Sequence, residues 1–403
     1  MNINRVRKNF PILRKKKMIY FDNAATTLTP NQVINKMNEY YTTYQSNINR
    51  GMYESSQLAT NEYNKAKKKI QNFIGAKSLS EIIVTKSTTE GINLIANGLD
   101  WKKGDKIITT TVEHHSNYLP WLRIKNKYNI ELNIISLNNE GELNLEEFEN
   151  IIDNKTKLIA LTHISNVLGK INPIEKFIKI AHEYGTMVLI DGAQSVPHIE
   201  VNVKKLDCDI LAFSGHKMCG PTGVGILYIK DDLQKKIYPL NIGGGSIEWV
   251  DRDKFKLSNG SEKFEAGTPP IVGVLGLGEA VEYLKSKGMS NIYNHEKKLL
   301  KILHEELSQI KEIQIYGNSL DDNIGIISFN IKGLFPHDIA LSLDISNKIC
   351  VRSGLLCAEP LIKDILNAPN GVIRLSTYLY NNEKEIHTFI KAINNIINEK
   401  CKK

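Results

Sequence analysis

Short apolar runs alternate with longer amphipathic stretches from about Tyr20 to Lys230. Leu58, Tyr63, Ala66, Ile70 and Phe73 keep helical spacing, which predicts a helix through this segment. The runs EIIVT (81–85), KIITT (106–110), ELNIISL (131–137), LIALTHI (158–164), MVLIDG (187–192), DILAF (209–213) and GVGILYI (223–229) are short and rich in β-branched residues, which predicts strands. Helices lie between several of them. One is expected to begin at Pro173, a favoured first helical position, and to stop at Gly185. Strands separated by helices imply a largely parallel sheet covered on both faces.

Beyond about Thr268 the texture changes. Two long helical patterns (271–287 and 290–310) precede strand-like IGIISFNI (324–331), a helix after Pro336, KICVRS (348–353) and a terminal helix from about Glu383. This predicts a smaller α+β unit beside the first. A chain of 403 residues is long enough for both.

Bulk properties narrow the function. No run approaches the roughly 18 apolar residues of a membrane helix, and the N-terminus lacks a signal-peptide core. A cytoplasmic protein with no membrane partner is expected. The net charge of +8 comes from scattered lysines without an aromatic-interleaved basic stripe, so no nucleic-acid partner is expected. Cys208, Cys219, Cys350, Cys357 and Cys401 are odd in number, widely spaced and free of any C-x-x-C pair. That argues against a disulfide framework or zinc ribbon and for a reducing compartment, where a thiol can act as a nucleophile.

The polar residues of interest fall at the carboxyl ends of predicted strands, where open α/β sheets bind ligands. KSTTEGINLIA follows the first strand, and its free backbone N–H groups could hold a phosphate. A capping box between Ser87 and Glu90 would explain the same junction without any ligand. His114 and His115 are adjacent and cannot share a helix face as metal ligands, but one imidazole could stack on a flat ring. Further strand ends supply Asn166, then Asp191 and Gln194 in DGAQ, then Ser214, His216 and Lys217 in SGHK.

Each of these has a plain structural explanation; the ordered set has few. An aspartate at one strand end and a lysine at the next suit pyridoxal 5'-phosphate. Lys217 would bond the aldehyde, and Asp191 would pair with the pyridinium nitrogen so that the ring works as an electron sink. His114 would cover the ring, while Thr88, Thr89, Ser214 and His216 would bind the phosphate. A nucleotide-binding Rossmann reading fails because GPTGVG (220–225) has the wrong glycine spacing and precedes a strand.

FDNAATT (21–27), STTEGINLIA (87–96), VEHHSN (112–117), DGAQS (191–195), FSGHK (213–217), EAGTPP (265–270) and RSGLLCAEP (352–360) together resemble the class V aminotransferase family, most closely its SufS-type cysteine desulfurases. The resemblance runs from about Phe10 to Ile393. It implies a fold type I enzyme: a large, mostly parallel sheet domain at 21–289 and a small α+β domain of 1–20 and 290–403 carrying the cysteine loop. It also implies a homodimer in which Thr268 reaches the cofactor phosphate of the partner subunit. Asn166 and Gln194 would contact the cofactor, Asn166 also the substrate, and Arg374 would hold the substrate carboxylate, a task suited to a planar guanidinium. GGGS (243–246) would lie near the entrance.

The implied reaction converts L-cysteine to alanine. Lys217 removes the Cα proton, His114 assists, and Cys357 takes the sulfur as a persulfide for an acceptor or scaffold protein of iron–sulfur assembly. Departures from the family pattern are Leu355 and Leu356, where histidines are usual, Glu359 after Cys-Ala, and Tyr53 in MYESS. Two leucines make the loop apolar, which tends to raise a thiol pKa. Cys350 is expected to be a buried structural thiol, and Cys219 to have no direct chemistry. Rival readings are a selenocysteine lyase, a small-amino-acid aminotransferase, or a non-catalytic scaffold in iron–sulfur assembly; the last is expected to have lost Lys217 or Asp191, and neither is lost.

Overall fold

A computed structural model describes residues 1–138, 140–317 and 320–400; Cys401 lies outside them. All seven runs read as strands in the first part of the chain form strands. They are β1 (Ile82–Thr85), β2 (Lys106–Thr110), β3 (Glu131–Ile135), β4 (Thr156–Thr162), β5 (Met187–Asp191), β6 (Ile210–Ser214) and β7 (Gly225–Ile229). They make one sheet in the order β1-β7-β6-β5-β4-β2-β3. Pairing is parallel from β6 across to β3, whereas β7 runs antiparallel to both its neighbours. The connection from β6 to β7, Gly215–Val224, is too short for a crossover helix, so the chain must return in the opposite direction. Every residue of β2, β6 and β7 is buried, as a sheet covered on both faces requires.

A glycine ties three strand ends together. Gly225 pairs with Thr85 on one side and Ser214 on the other. A Cβ there would come within 2.7 Å of Ser87 Cα and 2.8 Å of the Phe213 carbonyl. Only glycine lets the end of β1 and the end of β6 close to this separation.

The second part of the chain builds an antiparallel sheet from β8 (Ile313–Tyr316), β9 (Ile326–Ile331), β10 (Arg352–Gly354) and β11 (Val372–Ser376), ordered β8-β9-β11-β10. Leu299, Leu303 and Leu307 of the Met289–Ser308 helix and Phe389 and Ile393 of the Glu383–Lys400 helix share a core with Phe329, Ile373 and Leu375 of this sheet. The predicted run KICVRS is not one strand. Ile349–Cys350 pairs in parallel with Ile19–Tyr20, and the chain changes partner at Val351 before Arg352–Gly354 joins β11. Sequence reading also passed over β8, β11 as a strand and the hairpin of Ile247–Val250 with Phe255–Leu257, whose outer positions are exposed. Pro173 stands just before its helix, Ile174–Glu183, as the N-cap instead of the first helical residue. Among the described residues no helix is long and apolar enough to cross a membrane.

Candidate active site

A cavity of about 310 Å³ opens at the carboxyl ends of β4, β5 and β6, where the antiparallel sheet faces the parallel one. Eleven predicted site residues line it: Thr88, Thr89, His114, Asn166, Asp191, Gln194, Ser214, His216, Lys217, Cys357 and Arg374. Thr268 does not. It is exposed on a separate loop beside Lys86 and Glu90. That loop is pinned by Glu265, whose carboxylate accepts from Lys67 Nζ at 3.0 Å and from Val84 N–H at 2.9 Å. Tyr53 and the GGGS turn also lie outside the cavity lining.

At one end, Thr88 opens the helix Thr88–Gly98, with Ser87 as its N-cap. Thr88 N–H donates to Ser214 Oγ at 2.8 Å, and the two hydroxyl oxygens stand 2.7 Å apart. Thr89 and Ser116 hydroxyls meet at 2.7 Å. Hydroxyls gathered at the positive end of a helix suit a phosphate. The expected capping box is only half formed: Ser87 Oγ accepts Glu90 N–H, but the Glu90 carboxylate accepts from Lys86 N–H instead of Ser87. The reciprocal box forms at Ser78 and Glu81.

At the other end, Asp191 closes β5, with one carboxylate oxygen accepting from Ala193 N–H at 2.9 Å. Burial pushes its pKa up and the Lys217 charge pulls it down. Lys217 follows β6 in a single turn, Gly215–Lys217. Burial pushes its pKa down, Asp191 and Cys357 oppose this, and Arg374 adds to it. His114 Nδ1 accepts from Ser116 N–H at 3.0 Å, which places the ring proton on Nε2. Burial first, then Lys217, His115 and Arg374, lowers the imidazole pKa to about 3, and His216 is lowered to about 4 by burial and Lys217. Both rings are neutral near neutral pH.

Two buried polar atoms are left without partners among these residues: Gln194 Oε1 and Arg374 Nε. Gln194 Nε2 is already used on the Ala24 carbonyl at 2.8 Å. An orphaned acceptor, an orphaned cationic donor, a buried aspartate opposite a lysine and a hydroxyl cluster at a helix end form a donor set that fits pyridoxal phosphate with a carboxylate-bearing substrate.

Around Arg374, which was expected to hold the substrate carboxylate, stand Asp22 and Arg352, for which no role was expected. Arg374, on β11, is 3% exposed. Its Nη1 donates to the Asn166 carbonyl at 3.0 Å and its Nη2 to Asp22 Oδ1 at 3.2 Å. Asp22 is also bonded by Arg352 through Nη2 at 2.6 Å and Nε at 3.3 Å. The signal was present: Asp22 lies in FDNAATT and Arg352 in RSGLLC, and a buried arginine needs a carboxylate. Ser116 and Glu113 were missed for the same reason, quoted in VEHHSN without a task.

Cys357 is exposed and lies between β10 and the turn Pro360–Ile365. Leu355 and Leu356 pack against the main core, and Leu356 also lines the cavity beside Cys357. Cys219 is fully buried and its thiol pKa is raised by burial. Cys350, expected to be buried, is only half-buried.

His163, next to Thr162 of the cavity, shows how burial governs pH response. It is 4% exposed with no partner at Nδ1, and burial lowers its pKa from 6.5 to about 4. Between these values the unfolded chain binds a proton that the fold refuses, so His163 destabilises the fold progressively as pH falls below 6.5, by about 2 kcal/mol at pH 5. His163→Gln is expected to shrink the drop in thermal midpoint between pH 7 and pH 5; an identical drop would remove His163 as a cause.

The family model for class-V aminotransferases matches residues 19–389. Over 396 residues, 97% of each chain, this protein is 45% identical to a "Probable cysteine desulfurase" of Pyrococcus abyssi. It is 40% identical over 402 residues to one of Halalkalibacterium halodurans, covering 98% of this chain and 97% of the relative. The apo cysteine desulfurase of Thermococcus onnurineus superposes with a TM-score of 0.94 at 44% identity over 98% of both chains. The Escherichia coli cysteine desulfurase CsdA gives 0.92 at 29% identity over 99% of both. From cavity, fold and kinship alike, the chain belongs to the class-V aminotransferase family.

Proposed function

We propose that this protein is a pyridoxal 5'-phosphate-dependent cysteine desulfurase, converting L-cysteine to L-alanine and carrying the sulfur on Cys357. One observation carries the reading: an exposed thiol shares a cavity with the Asp191–Lys217 pair and a buried arginine that has a free donor. An aminotransferase has no use for a thiol in that place.

Bound in the cavity, pyridoxal phosphate supplies an electron sink for the bonds at the substrate Cα. The residues do the rest. Thr88, Thr89, Ser214 and His216 would hold its phosphate, Asp191 would pair with its protonated ring nitrogen, and His114 would cover the ring. Arg374 takes the substrate carboxylate through its free Nε. Lys217, biased by burial towards the uncharged amine, accepts the Cα proton. Cys357 then attacks the substrate thiol sulfur: an S–S bond forms, the Cβ–S bond breaks, and the carbon keeps the electron pair and takes a proton to become alanine.

The sulfur then passes to an acceptor or scaffold protein of iron–sulfur assembly in the cytoplasm, as in the SufS-type branch. The protein works as a homodimer of two-domain subunits, with 21–289 holding the cofactor and 1–20 with 290–403 presenting Cys357. Support for the dimer comes from Thr268, exposed away from its own cavity, and from the exposed apolar Leu240 lining the same surface pocket.

Incubation of the cofactor-loaded protein with L-cysteine and a reductant is expected to yield alanine and to leave Cys357 one sulfur atom heavier before reduction. No alanine from a loaded protein would sink the reading. Asp22→Asn takes the charge partner from Arg374, and charge-assisted hydrogen bonds of this kind translate to a KM for L-cysteine raised roughly tenfold or more with little change in kcat. Steady-state alanine formation checks it.

A further inference from the structure

Leu356 and Cys357 have φ of +50° and +52°, a left-handed conformation that non-glycine residues avoid. Two such residues in succession persist only where their surroundings hold them. Asn166 Nδ2 holds the Leu356 carbonyl at 3.0 Å. The other restraints come from His115. Its backbone N–H donates to the Cys357 carbonyl at 2.7 Å, and its ring Nε2 accepts Glu359 N–H at 3.3 Å. His115 thus grips the loop at Cys357 and two residues beyond it, while Asn166 holds the residue before.

The grip is built on a rigid base. His115 starts the turn His115–Asn117. Asn117 is fully buried, with Trp121 Nε1 donating to its Oδ1 at 3.3 Å and its own Nδ2 donating to Glu113 Oε2 at 2.6 Å. Glu113 Oε1 in turn accepts from Thr110 Oγ1 at 2.7 Å and Thr162 N–H at 2.8 Å, tying the turn to β2 and β4. His115 itself does not line the cavity, whereas His114 and Ser116 on either side do.

We propose that His115 is a positioning residue that latches the Cys357 loop to the parallel sheet and sets where the thiol stands for attack. The two adjacent histidines divide the work: His114 faces the cavity and His115 holds the nucleophile's loop. This rests on the desulfurase reading for its consequence, but not for the latch itself. The latch takes Glu359 N–H at Nε2, and the Glu359 carboxylate Oε2 also stands 3.6 Å from that nitrogen.

The test compares His115→Ala with His115→Gln, whose amide oxygen reaches the place of Nε2. In resting protein, hydrogen–deuterium exchange of peptides containing Glu359 is expected to quicken in the alanine variant and return towards wild type in the glutamine variant. In a single turnover with L-cysteine, sulfur loading on Cys357 is expected to slow roughly fivefold in His115→Ala and to recover to within about twofold in His115→Gln, the scale of one hydrogen bond. The L-cysteine concentration for half-maximal change in the cofactor absorbance should stay the same. Unchanged exchange and loading in His115→Ala, or a glutamine variant no better than alanine, would overturn the latch. A wild-type protein that never loads sulfur would sink the desulfurase reading, while the exchange arm still decides the latch.

Discussion

Cys357→Ala is expected to reduce alanine formation from L-cysteine on the order of 10³-fold or more, while the protein keeps its cofactor and its yellow colour. Alanine forms only if the carbon keeps the electron pair of the Cβ–S bond, so a nucleophile must receive the sulfur as a persulfide. Of the cysteines in the described residues, Cys357 alone lines the cavity. Cys219, two positions beyond Lys217, is fully buried, and its amide is tied to Thr27 Oγ1 at 2.7 Å. It has no route to take over. The substitution shortens an exposed side chain and creates no core cavity, so the thermal midpoint should hardly move. Alanine would be measured by amino-acid analysis beside the visible absorbance of the cofactor. Undiminished alanine from the variant would mean that another thiol, the added reductant or a second L-cysteine, receives the sulfur, and Cys357 would lose its assigned role.

The parallel sheet was legible because its strands are buried on both faces. Runs such as KIITT and DILAF read as continuous apolar segments and end where polar residues begin. Asp191, Ser214 and Lys217 were found by that rule alone: they stand at or just beyond the strand ends where an α/β sheet binds ligands. The antiparallel sheet was harder. Arg352–Gly354 directly follows the apolar Ile349–Val351, so the two read as one run, and only pairing with β11 shows that a second strand starts at Arg352. A strand defined by its partner leaves little mark on its own sequence.

The same limit explains why Asp22 had no expected role although Arg374 did. The two are far apart along the chain but 3.2 Å apart in space, so the ion pair that fixes Arg374 is visible only in the fold. Leu355 and Leu356 make the loop apolar, as composition suggested, but where they point was not legible. The left-handed backbone at Leu356 and Cys357 lets both leucines pack on the core, with Leu356 also lining the cavity, while the thiol stays exposed.

Lys217→Ala should cost more than any other single change, on the order of 10⁴-fold in alanine formation. Two functions rest on one amine. In the proposed function it would bond the cofactor aldehyde in the resting protein and would accept the Cα proton during turnover. The surroundings tune it for both. Burial and the Arg374 charge favour the uncharged amine, and Asp191 opposes them, so the pKa ends below the ordinary lysine value. Arginine cannot substitute, because a guanidinium stays protonated throughout the working range. Methylamine added to Lys217→Ala, by contrast, can occupy the vacated volume as a free base. It is expected to restore a small fraction of activity that grows with pH as more of the amine is uncharged. Alanine formation measured against methylamine concentration at pH 7 and pH 9 checks this. The variant would still hold pyridoxal phosphate through Asp191 and the hydroxyl cluster, more weakly and without its resting absorbance. If Lys217→Ala retained wild-type turnover, the proton acceptor would have to be sought elsewhere, and His114, neutral and 3.0 Å from Ser116 N–H through Nδ1, has only Nε2 left to offer, already protonated. Lys217, held towards the uncharged amine by burial, is therefore the group we propose for the proton.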